Sequence, residues 1–173
     1  WGFTHAVTIK APVAEVWPWI VQMGQGRGGF YSYEFLENLV GCDIHNADRI
    51  ISEFQHLQVG EAIKLAAKLP GLPVAVVEPN HALVLHVKAD TLITSDAKFG
   101  EPKTQKYFST NWLWVLERID DRTTRLISRF LVDYSSGLGS RLTYGKCLVE
   151  PISFVMSRKM LLGIKQRAES TAK

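Results

Sequence analysis

Apolar and polar side chains alternate from Phe3 to Lys10, with Phe3, His5, Val7 and Ile9 on one side and Thr4, Ala6, Thr8 and Lys10 on the other. That period of two predicts a half-buried strand with His5 turned inward. From Pro12 to about Met23 the spacing becomes helical, because Val13, Val16, Trp17, Ile20 and Val21 recur on one face behind a proline suited to the first turn. Pro18 lies inside this segment, where it is either absorbed or bends the helix. Residues 33–40, YEFLENLV, predict a short second helix capped by Gly41. Residues 42–61 read as an ordered connection with a helical turn near Asn46 to Ile50. Strands follow at 62–66, 72–78 and 82–88, the last two joined by the turn signal Pro79-Asn80. The polar stretch 90–106 predicts a long loop, and 107–118 and 123–133 predict two long strands joined at Asp120-Asp121-Arg122.

The last long segment, Ser140 to Glu169, contains no Asn or Asp and one strong helix breaker, Pro151. It predicts a single helix bent where the proline ring meets the carbonyl of Cys147. Projected at helical spacing, Leu142, Gly145, Leu148, Val149, Ile152, Val155, Met156, Met160 and Gly163 form the face expected to meet the core. The opposite side holds Lys146, Glu150, Arg158, Lys165 and Glu169, yet also Phe154 and Leu161. Those two apolar residues are expected to meet another protein surface, in preference to an anionic bilayer. The order of strand, two helices, a run of strands and a long helix predicts an α+β fold with an antiparallel sheet. A curved sheet around one long helix leaves space between the two layers.

Composition narrows the class. The 173 residues, nearly half of them hydrophobic, suffice for one domain spanning the whole chain, 1–173. Residues 141–173 carry seven basic and two acidic side chains, but no Lys/Arg run exceeds two residues and no aromatics are interleaved with them. A solvated basic face is therefore expected, and no nucleic-acid partner. Cys42 and Cys147 lie outside any CxxC spacing, so neither a disulfide framework nor a zinc site is indicated. Free thiols fit a cytoplasmic setting, no apolar run approaches the roughly 18 residues of a membrane span, and no signal-peptide pattern is present. The chain opens on Trp1 rather than Met, which leaves room for an upstream segment. Nothing in the sequence fixes an oligomeric state.

Four segments together carry a resemblance: VTIKAP (Val7 to Pro12) running into VAEVWPWIVQMG, then GQGRGGFYSYEFLENLVG, DIHNADRI, and the ending FVMSRKMLLGIKQRAE. In them the whole chain resembles the SRPBCC superfamily of helix-grip proteins, which includes START lipid-transfer domains, pollen-allergen-type plant proteins and polyketide cyclases. It is most similar to a largely uncharacterised bacterial branch. The resemblance implies a β-α-α-β-strands-α fold with a cavity between sheet and terminal helix, usually for an apolar ligand. It supplies no reaction, since members include binders, transporters and enzymes.

The chemistry available is sparse. Gly24, Gly26 and Gly29 match GxGxxG, but they follow a helix rather than a strand, so the dinucleotide-binding context fails. A tight turn displaying Arg27, Phe30 and Tyr31 is expected instead, with Arg27 either holding an anionic head group or bracing the loop. Asp43, His45 and Asp48 form DxHxxD. This group reads as a hydrogen-bonded loop in which Arg49 pairs with Asp48, as an acid–base cluster at a cavity mouth, or as metal ligands, the last disfavoured because loop spacing does not make three ligands converge. No GxSxG, HExxH or Walker motif is present, and no cofactor is implied. Trp112 and Trp114 share a strand face and, with Ile152, Met156 and Met160 opposite, are the expected walls of an apolar pocket. The function expected is binding or carrying a small hydrophobic ligand, lipid- or polyketide-like. The alternative is a cyclase- or dehydratase-like enzyme using Asp43, His45 and Asp48.

Overall fold

The structure is a computed structural model that describes residues 1–91, 106–134 and 149–172. Its first strand, β1 (Gly2–Ile9), follows the alternation of its sequence: burial rises and falls residue by residue until Ile9, which is buried. Helix α1 (Val13–Val21) begins after Pro12 and runs through Pro18 without a break, burying Val16, Trp17, Trp19, Ile20 and Val21. Helix α2 (Glu34–Leu39) ends where expected, with Gly41 just beyond it in the left-handed region at φ 78°. The helical turn expected at 46–50 is absent; a single 3₁₀ turn forms instead at Ser52–Phe54. Strands β2 (Ala62–Ile63), β3 (Leu72–Glu78), β4 (Ala82–Thr91), β5 (Lys106–Asp120) and β6 (Thr123–Tyr134) come next, and α3 (Val149–Thr171) closes the chain. β2 is shorter than predicted, since Lys64 already turns away to accept a hydrogen bond from the amide of Gln25 on its carbonyl. Of the predicted loop 90–106, Asp90, Thr91 and Lys106 belong instead to the paired strands β4 and β5, and the rest lies outside the described residues, as do Leu142, Gly145, Leu148 and the Cys147 end of the expected bend at Pro151.

All strand pairs are antiparallel, in the order β1-β6-β5-β4-β3-β2. The fold is thus α+β, a helix-grip arrangement in which the curved sheet packs around α3. Register decides what faces the helix: Phe3, His5, Val7 and Ile9 lie beside Phe130, Ser128, Leu126 and Thr124, and then beside Trp112, Trp114 and Leu116 on β5. Leu83 and Leu85 of β4 continue the same side. At the Ile9 end this surface is sealed, with Ile9 and Leu126 fully buried, and Leu83 and Leu85, opposite Trp114 and Trp112, are fully buried as well. Each such aliphatic side chain contributes roughly 1.5–3 kcal/mol when withdrawn from water.

The face that α3 buries differs from the projected one. Ser157, Met160, Leu161, Gly163, Ile164 and Ala168 are inside, whereas Ile152 is 54% exposed and Val155 is exposed as well. Leu161, expected outside, is only 3% exposed, so it is not half of an outward pair with Phe154. The real stripe includes a serine and an alanine, while the apolar residues before it pulled the projection about one position around the helix. Lower down, α3 clamps the free edge of β1. Lys165 Nζ donates to the Thr8 carbonyl at 2.8 Å, the Lys10 amide donates to Glu169 Oε1 at 2.8 Å, and Lys165 and Glu169 pair at 3.5 Å. Backbone groups that an edge strand leaves open are thereby closed by side chains.

Candidate ligand-binding site

The helix-facing side of the sheet changes character away from its sealed end. There the residues are aromatic: Phe3 stacks on Phe130 at 5.6 Å, Phe130 meets Trp112 edge-on at 5.6 Å, and Trp112 lies 4.5 Å from Trp114. Phe30 stacks on Trp112 at 5.7 Å from the loop side. Phe3, Trp112 and Phe130 remain partly exposed, while Trp114, next along the same strand face, is buried. Aromatic surface left partly open beside a buried layer is the kind of wall an apolar ligand covers.

Polar atoms on this floor are few and mostly paired. Trp112 Nε1 donates to Ser128 Oγ at 3.2 Å, Thr110 Oγ1 donates to the Leu131 carbonyl at 2.9 Å, and Thr124 Oγ1 donates to the Ala11 carbonyl at 2.8 Å. His5 Nδ1 lies 3.1 Å from Ser157 Oγ on α3, with the imidazole between Phe3 and Phe154. Desolvation lowers the His5 pKa, which keeps the ring neutral at pH 7. Lys, Arg, Asp and Glu are absent from the helix-facing positions Phe3 to Ile9, Leu83 to Val87, Thr110 to Leu116 and Thr124 to Val132.

The loop after α1 fixes Phe30 and Tyr31. Gly24 and Gly29 exchange backbone hydrogen bonds at 3.0 Å, and Tyr31 takes φ 57° while its amide donates to Asn46 Oδ1 at 2.6 Å. Gly29 is required there: at φ 73°, a Cβ would sit 2.5 Å from Asn46 Oδ1 and 2.7 Å from the His45 carbonyl oxygen. The turn does not display its aromatics. Phe30 and Tyr31 are buried, and Tyr31 donates its hydroxyl to the Trp19 carbonyl at 3.0 Å beneath the guanidinium of Arg167. Burial raises the Tyr31 pKa, so the phenol stays protonated. Arg27 braces the loop: its Nη2 donates to the carbonyls of Val21 and Phe54, both at 3.1 Å, and its guanidinium covers the Phe54 ring at 4.7 Å.

Of the α3 residues expected to line the site, Met160 is buried, and Met156 is partly buried with its carbonyl accepting from Ser32 Oγ at 3.0 Å; Ile152 faces outward. Of the DxHxxD residues Asp43 and His45 meet, and Asp48 does not join them. His45 is 76% exposed between Glu34 (3.4 Å) and Asp43 (3.3 Å), while Asp48, 93% exposed, pairs at 2.9 Å with Arg167 and not with Arg49. Glu34 and Arg167 are the partners that sequence spacing missed, because both come from other elements. Beside them a polar groove of about 430 Å³ runs between Asn46, Asp48, Lys159 and Arg167. No three His, Cys, Asp or Glu side chains among the described residues are grouped as ligands for an ion.

Glu37, half-buried on α2, is pushed from its ordinary value of 4.5 to about 7, first by desolvation and then by Glu34. Between those values the folded state holds a proton that the unfolded state releases, so this contribution is full below 4.5 and is lost as pH rises through about 7. Urea unfolding at pH 5 and pH 8 is expected to show higher stability at pH 5, with Glu37→Gln reducing the difference. An unchanged difference in the variant would place the titrating group elsewhere.

No protein-family model matches this chain, and no curated protein matches it. Among solved structures it is similar to a protein from Nitrosospira multiformis, at 15% identity over 98% of this chain and 97% of that one, with a TM-score of 0.50. A protein from Mesorhizobium loti matches at 18% identity over 98% of each chain, TM-score 0.48. Zhui aromatase/cyclase from a Streptomyces species matches at 11% identity over 100% of this chain and 96% of that one, TM-score 0.44. At such identities the likeness is one of fold, the curved sheet gripping a terminal helix.

Proposed function

We propose that this chain is a member of the SRPBCC superfamily and that it binds a small apolar molecule between the sheet and α3. The observation that carries this reading is the partly exposed aromatic floor of Phe3, Trp112 and Phe130, which bears no charged side chain. Burying a ligand there gains hydrophobic free energy at little cost in desolvated charge. A cyclase- or dehydratase-like reaction would need an acid and a base within reach of one substrate atom. Asp43 and His45 pair in the open, and Asp48 turns away to Arg167, so the three exposed groups do not converge on one substrate atom, which weighs against that alternative. A bilayer-crossing role has no support, since no helix among the described residues is long and apolar enough to span a membrane. A reducing, cytoplasmic setting suits Cys42, a free thiol whose pKa is raised by burial and by Glu37.

Titration with Nile red, a neutral apolar dye, is the direct test. Saturable binding with a blue-shifted emission is expected, and Trp112→Gln should weaken it roughly tenfold by removing ring area from the wall. Native mass spectrometry of protein from its own cell extract would then identify a retained ligand. Absence of dye binding, or binding indifferent to Trp112→Gln, would overturn the reading.

A further inference from the structure

Five buried side-chain polar atoms among the described residues lack a hydrogen-bond partner: Glu15 Oε2, Trp19 Nε1, Arg27 Nε, Glu37 Oε2 and Trp114 Nε1. Only Trp114 belongs to the helix-facing side of the sheet. Its neighbours there are satisfied, Trp112 by Ser128, Thr110 by the Leu131 carbonyl and Thr124 by the Ala11 carbonyl. Trp114 is 1% exposed, so its N–H meets no bulk water either. Buried donors are nearly always paired, because stranding one forfeits its solvation, and a phenylalanine would fill much of the same space without that loss. The unpaired donor is therefore the one feature of this floor that packing alone does not explain.

The geometry points to Trp114 Nε1 as the hydrogen-bond donor that fixes a neutral, flat, oxygen-bearing ligand, its acceptor a carbonyl or ether oxygen on a planar ring system. This rests on the apolar-binding reading above and specifies its ligand class. An indole N–H can only donate, which selects an acceptor on the ligand. The surrounding rings select a flat partner, since Trp112 lies 4.5 Å from Trp114 and is itself stacked on Phe30. Neutrality follows from the floor's lack of charge. A carboxylate brought here would be desolvated with no cation among the facing described residues, Arg27 being turned into the loop carbonyls of Val21 and Phe54. Trp112, two residues along the same strand face, keeps a partly exposed ring beside the buried Trp114, so the ligand enters there.

The matched probes 9-fluorenone and fluorene share a shape and differ in one carbonyl. The wild-type protein is expected to bind fluorenone about fivefold or more tightly than fluorene, and fluorene-9-carboxylate more weakly than either. In Trp114→Phe the preference for fluorenone disappears, the two probes binding equally. The wild-type protein supplies a readout independent of that variant's folding: in ¹⁵N-labelled protein the Trp114 indole N–H resonance moves downfield with fluorenone and not with fluorene. Equal binding of the two probes by wild type, a preference that survives in Trp114→Phe, or a fluorenone-specific shift at Trp19 instead would overturn the assignment. Failure of both neutral probes to bind would overturn the apolar-binding reading itself, and the donor role with it.

Discussion

Gly163→Ala is expected to destabilise the protein by about 2–3 kcal/mol, even though alanine in a helix interior gains ~1 kcal/mol over glycine. The added Cβ would lie 2.7 Å from the Tyr31 Cβ and closer still to the Tyr31 carbonyl oxygen. Much of what it meets is backbone, so relief demands that α3 lift or that the loop from Gly24 to Tyr31 retreat. That loop is pinned by Asn46 Oδ1 on the Tyr31 amide and by the Tyr31 hydroxyl on the Trp19 carbonyl. Urea unfolding of the variant measures the effect, with exposed Gln166→Ala as a control expected to stay within about 0.5 kcal/mol. A Gly163→Ala protein as stable as wild type would show that α3 does not rest on this backbone.

The second large effect is expected at Gln22, fully buried just after α1. Its Nε2 donates to the Arg49 carbonyl at 3.1 Å, while its Oε1 accepts from the Ile51 amide at 2.9 Å and from Gln55 Nε2 at 3.2 Å. Gln22→Ala strands these groups and leaves a void under Gly28, for an expected loss of about 2–4 kcal/mol. Hydrogen exchange distinguishes this from a general loosening: the Ile51 amide should lose protection well before the central amides of β5. Unchanged protection at Ile51 would contradict the role given to the side chain.

Much of the fold was legible because local pattern and final environment agree. Alternation along Phe3 to Ile9 became β1, and Pro12 opened α1. Gly41 closed α2, and Pro79-Asn80 became a hairpin turn with Asn80 at φ 60°. Trp112 and Trp114 share a strand face with Leu116 beside Phe130, Ser128 and Leu126, but a period of two leaves two apolar faces, and the sequence does not say which one meets the helix. The site was less legible. Which face α3 buries depends on Tyr31 and β1, over a hundred residues away, and helical projection weighs only the helix's own residues. Ile152 was therefore placed inside, although it is exposed, and Leu161 outside, although it is buried. Spacing in DIHNADRI suggested a cluster, but Arg167 of α3 draws Asp48 away and Glu34 of α2 approaches His45. Arg27, too, bonds to carbonyls that no local pattern announces.

The closure of β1 by β6 and α3 also sets a timetable for biosynthesis. Thr8 pairs with Arg125, and its carbonyl is capped by Lys165, so the ribosome must add more than a hundred residues before either partner exists. At typical translation rates that is on the order of ten seconds. Throughout it Phe3, Val7 and Ile9 have no sheet to join, which leaves this nascent segment an unpaired apolar strand. Slow-codon experiments should accordingly tax this fold at its first strand, long before the helix that seals it has been made.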